Sequence, residues 1–70
     1  MNIAGYRFVD LNDRDELQAM LRSLCLDLGL KGTVLLAPEG INFFLAGTSS
    51  SIEAFKQTLE IDQRFVDIPL

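Results

Sequence analysis

A chain of 70 residues has room for one domain with a small core, and with half its residues apolar and only two prolines it reads as a folded globule. Ten acidic against six basic side chains leave a net charge of −4, the wrong sign for holding phosphates through the overall field, so only a local basic patch could do so. No histidine and a single cysteine exclude a zinc-type ligand set, a hydrolytic triad and an internal disulfide.

Residues 3 to 9, "IAGYRFV", carry aromatic and β-branched side chains and end at an Asp10-Leu11-Asn12-Asp13 cluster, which predicts a strand running into a helix cap. From Asp13 onward Leu17, Met20, Leu21, Leu24 and Leu28 recur at helical spacing. Asp13, Asp15 and Glu16 place negative charge at the positive end of that helix dipole, and Gly29 supplies the stop. Arg14, Gln18 and Arg22 form a polar stripe read as a solvated face. Cys25 falls inside the apolar pattern and is expected to act as a small hydrophobe.

Thr33 to Ala37 and Ile41 to Ala46 predict two strands joined at Pro38-Glu39-Gly40. Proline presets a turn, and glycine offers the positive φ of a bulged three-residue loop. In the serine run that follows, Ser50 and Glu53 have capping-box spacing, and Ile52, Phe55 and Leu59 continue as a second helix. The closing "FVDIPL" alternates Val66, Ile68 and Leu70 with Asp67 and Pro69 and predicts a last strand, confined to a sheet edge by the proline. The order β-α-β-β-α-β is that of a ferredoxin-like (acylphosphatase-like) α+β sandwich, with a four-stranded antiparallel sheet and two helices on one face, filling residues 1–70 as one domain.

The chemistry-bearing patterns are few. No catalytic, cofactor-binding or metal-binding residue is predicted: the carboxylates are scattered over helix starts and turns, and the first strand-to-helix link, "DLND", is acidic and lacks the glycines of a phosphate cradle. Tyr6, Phe8, Phe43 and Phe44 occupy strands, and since neighbours point to opposite faces, one of Phe43 and Phe44 reaches the side without helices. The N-terminal stretch has no basic start or apolar signal core, and no apolar run nears membrane-spanning length, so a soluble, cytoplasmic protein without a membrane partner is expected.

"YRF" in the first strand, "LGLKGTVLLAPEGIN" from Leu28 to Asn42 and "LAGT" before the second helix together resemble the N-terminal, acylphosphatase-like domain of the rhodanese-containing tRNA uridine hydroxylases. The resemblance covers essentially the whole chain. It implies a non-catalytic module excised from a longer enzyme that hydroxylates the wobble uridine of tRNA with molecular oxygen. Such a module would help position tRNA or pack on a downstream rhodanese domain, whose own cysteine lies beyond this chain and is not Cys25. Where the family often has a small residue after the asparagine, this chain has Phe43. The candidate contacts to tRNA or to the second domain are Arg7 and Lys31 by charge, Glu39, Gly40 and Asn42 by their place in "EGIN", and Phe44 as a member of the Phe43–Phe44 pair, of which one ring reaches the open face. Self-association through that face is a further expected partner mode, and the alternative reading is a free-standing ferredoxin-like interaction domain for a protein or small ligand.

Overall fold

The computed structural model describes residues 1–68, in the order β1 (Asn2–Phe8), α1 (Arg14–Asp27), β2 (Lys31–Ala37), β3 (Gly40–Ala46), α2 (Ser49–Leu59) and a short 3-10 turn (Gln63–Phe65). The sheet is antiparallel in the order β1-β3-β2, with β3 at its centre. Period-two alternation sends Ile41, Phe43 and Leu45 of β3 to one side. There they meet Leu17 and Leu21 of α1 and Ile52, Phe55 and Leu59 of α2 in one core, so both helices cover the same face. The Phe43 and Phe55 rings pack edge to face with centroids 5.5 Å apart.

The first helix follows its apolar spacing except at Met20, which is exposed; Leu24 and Leu28 are only partly buried. Leu17 and Leu21, on successive turns, are the positions facing the sheet. Asp13 makes no side-chain cap because its carboxylate is drawn to Arg64. The second helix begins as expected, but its cap is Thr48 and not Ser50: Thr48 Oγ1 accepts from the Ser51 backbone N–H at 3.1 Å, two positions earlier than the Ser50–Glu53 spacing implied.

The hairpin between β2 and β3 also differs from the three-residue bulge. Pro38 and Glu39 form the whole loop, and Ala37 pairs directly with Gly40. Gly40 is needed for close approach instead of positive φ, since a Cβ there would lie 2.3 Å from the Arg7 carbonyl oxygen across the β1–β3 ladder. The turn is held in place by the chain leaving β1: Val9 N–H donates to the Glu39 carbonyl at 2.9 Å and Leu11 N–H to that of Pro38 at 3.0 Å.

The fourth strand is not formed, and the sheet has three strands among the described residues. The reason lies in an alternative way to bury the same side chains. Asp62 accepts from the Arg64 N–H, opening a 3-10 turn, and Asp67 takes a φ of 61°. Phe65 and Ile68, three residues apart, become the buried pair, whereas a strand would have buried alternate residues. The predicted positions Pro69 and Leu70 lie outside the described residues.

Arg64 ties the end of α2 to the start of α1. Its guanidinium donates to Asp13 through two nitrogens at 2.8 and 3.0 Å and to Asp62 at 2.6 to 3.2 Å, while lying over the Phe65 ring. These side-chain hydrogen bonds hold the Asp13 and Asp62 carboxyls below their ordinary 3.8 and raise Arg64 further. Depressed carboxyl values in the folded state favour folding above the unfolded value, and that contribution is lost as pH falls through the folded one. The denaturation midpoint of Arg64→Gln should therefore lie modestly below that of the parent at about pH 6, and the gap should narrow as pH falls below the ordinary carboxyl value. A gap that stays constant over that range would show that the pairs do not act through charge.

Candidate functional site

Every second side chain of the sheet points away from the helices, and in register these outward positions form rows. Tyr6, Asn42 and Leu35 make one row, Ala4, Phe44 and Thr33 the next, and Phe8 lies across from Gly40 and Ala37 at the hairpin end. Tyr6 is 64% exposed, Phe8 82%, Leu35 60% and Phe44 55%, so four of the eight large apolar side chains exposed among the described residues stand together on this sheet face. The Tyr6 and Phe8 rings stand edge to face, 5.9 Å apart. Between them and Leu35 a shallow groove of about 250 Å³ runs over Asn42 and Gly40, with Arg7 and Glu39 also in its lining at the hairpin end.

The pleat decides several expectations. Phe44 is the outward residue and Phe43 is core; Leu35 is outward and Leu36 packs against the core. Of the residues singled out by sequence, Asn42, Phe44 and Lys31 share the open face, with Lys31 paired to Ala46 at the end remote from the hairpin. Gly40 contributes backbone to the floor, and Glu39 sits exposed at the hairpin tip. Arg7 does not join them: placed between Tyr6 and Phe8 on one strand, it must point to the helix side. Arg7 and Lys31 therefore do not form one basic patch. Tyr6, Phe8 and Leu35 were absent from the expected site because a charge-first reading passes over apolar side chains, although their strand parity marked them.

Charge is distributed with the same asymmetry. None of the ten carboxylates occupies an outward sheet position: they lie in the β1–α1 link, the two helices, the hairpin tip and the segment after α2. Lys31 is the one charged residue in the outward rows.

Two other regions are chemically poor. A groove of about 420 Å³ between α1 and β2 contains Cys25, but burial pushes that thiol up, which keeps it protonated and unreactive. At the start of α1 Asp13 is taken up by Arg64, while Asp15 and Glu16 face solvent and disfavour an anion. Among the described residues no three His, Cys, Asp or Glu side chains form a metal-holding group, and no helix is long and apolar enough to cross a membrane.

Residues 1–70 match, end to end, the model of the UPF0176 acylphosphatase like domain. The chain belongs to this family. UPF0176 acylphosphatase-like relatives include the tRNA uridine(34) hydroxylases of Thiobacillus denitrificans and Cupriavidus pinatubonensis, each 57% identical over 68 residues, and that of Bordetella avium at 56%. The alignments cover 97% of this chain but only 27%, 24% and 28% of those proteins, so the chain spans about a quarter of their length. The acylphosphatase-like label thus describes an α+β domain of two helices and a three-stranded antiparallel sheet, aligned with a small part of each relative.

Proposed function

We propose that this chain serves as the non-catalytic N-terminal module of a tRNA-modifying oxidoreductase that hydroxylates uridine 34, working with a downstream rhodanese domain in the cytoplasm. The identity to hydroxylases about four times its length supports the enzyme class and the modular role. The observation that carries the role assigned to the module is the open sheet face. A chain with a protonated thiol and an acidic helix entry offers little for bond-making, yet it displays three exposed aromatic rings on a sheet face whose outward strand positions hold no carboxylate, Glu39 alone bordering it at the hairpin tip. A binding function follows more readily from these residues than a catalytic one.

The reading is tested in cells that lack the full-length protein, by mass spectrometry of nucleosides from their tRNA. The full-length gene should restore hydroxylated uridine at position 34, whereas a version without residues 1–70, and residues 1–70 alone, should not. Restoration by the truncated version would remove the module from the reaction. Restoration by residues 1–70 alone would make the chain itself the catalyst.

A further inference from the structure

We propose that the outward sheet face is a stacking surface for unpaired RNA bases, with Tyr6, Phe44 and Phe8 as platforms and the Asn42 amide between them as the hydrogen-bonding group. The inference rests on the tRNA-modifying role just assigned and names the surface and the RNA element it takes.

Ring accessibility is the first support. Tyr6, Phe8 and Phe44 are each more than half exposed; Phe8 lies opposite Gly40 and Phe44 opposite Ala4 and Thr33, all small, while Tyr6 lies opposite Asn42. Tyr6 and Phe8 are two residues apart on one strand, and Phe44 is diagonal to Tyr6 on the next, which spaces the rings by roughly 6 to 8 Å. Sheets that bind single-stranded RNA stack two or three bases on such an array, because a flat base gains contact with a ring whatever its identity.

Charge is the second support. The chain is acidic, yet none of its carboxylates occupies an outward strand position, Glu39 alone bordering the groove at the hairpin tip, so an RNA strand laid along the rows away from that tip meets neutral or positive groups, whereas approach from the start of α1 meets Asp15 and Glu16. Asn42 sits in register between Tyr6 and Leu35, with an amide that both donates and accepts, as a base edge requires. A protein partner would be expected to find a continuous apolar centre, and here Asn42 and Thr33 interrupt it.

The chain has one tyrosine and no tryptophan, so its emission above background reports on Tyr6 alone. An anticodon stem-loop, a single-stranded oligouridylate and a fully paired duplex are titrated separately into the chain, with amide shifts recorded in parallel. The stem-loop and the oligouridylate should quench Tyr6, and the duplex should leave it unchanged. Phe44→Ala should weaken binding roughly tenfold. Asn42→Asp, which adds a carboxylate to the face at nearly constant shape, should weaken it as well, and circular dichroism should show both variants folded, since neither side chain is in the core. With Lys31 as the only cation in the rows, the logarithm of affinity should fall with the logarithm of salt with a slope no steeper than about −0.7.

Equal quenching by the duplex, or affinity unaffected by both substitutions, would overturn the proposal. Stem-loop binding with shifts confined to α1 or the link before it would refute this surface while leaving the tRNA role standing. Absence of RNA binding, with open-face shifts that grow on self-association or on adding the remainder of the full-length protein, would assign the face to a protein contact.

Discussion

Replacing Phe55 by alanine should lower folding stability by about 3 to 5 kcal/mol. The side chain is fully buried, touches the Phe43 ring edge to face, and lies at the middle of the α2 face that covers the sheet. A domain of this length has roughly 4 to 10 kcal/mol of stability to lose, so the variant should be largely or wholly unfolded under conditions in which the parent is native. Denaturant titration followed by circular dichroism measures it. Leu24→Ala is the internal comparison: its side chain is only partly buried, so its midpoint should move much less. Equal shifts for the two variants would place the helices on the wrong faces.

Gly32→Ala should cost roughly 2 to 4 kcal/mol although the position is exposed. Gly32 has a φ of 130°, which an L side chain seldom adopts, and a Cβ there would lie 2.0 Å from the carbonyl oxygen of Phe44 on the neighbouring strand. Relief requires the start of β2 to move off β3, which loses ladder hydrogen bonds. Faster amide exchange should accompany the lower midpoint at Lys31 and Thr33 and leave Tyr6 and Phe8 unchanged. Leu35→Ala, outward on the same strand, should stay within about 0.5 kcal/mol of the parent. If Gly32→Ala melted with the parent, the described backbone at this position would be in error.

These two residues also mark how much could be read beforehand. Phe55 was legible because Ile52, Phe55 and Leu59 repeat at a helical interval, and a repeat of that kind has one way to bury itself. Gly32 was not, because its requirement comes from a carbonyl twelve residues away on another strand and only register reveals it. The last segment failed for a related reason: Val66 and Ile68 fit an alternating pattern, but the Asp62 cap and the left-handed Asp67 turn the chain so that Phe65 and Ile68 are buried together. Four residues of alternation are too few to distinguish a strand from a 3-10 turn. In the candidate site, parity alone separates the Arg7 side chain from its neighbours Tyr6 and Phe8 and puts Asn42, Phe44 and Lys31 on one face, a distinction that charge and motif do not carry.

The absence of carboxylates from the outward sheet rows makes the molecule an electric dipole as well as an anion. With Lys31 alone on the outward rows, the rest of the chain holds ten negative and five positive side chains, so the centre of negative charge is displaced toward the helices. In the field of a polyanion such a body experiences a torque that turns its helix side away, and this acts over about a Debye length, 8 to 10 Å at ordinary ionic strength. Orientation before contact reduces the rotational search that limits most associations. The same torque disfavours copies of the chain meeting helix side to helix side, so the distribution of acidic residues sets the direction from which any charged partner arrives.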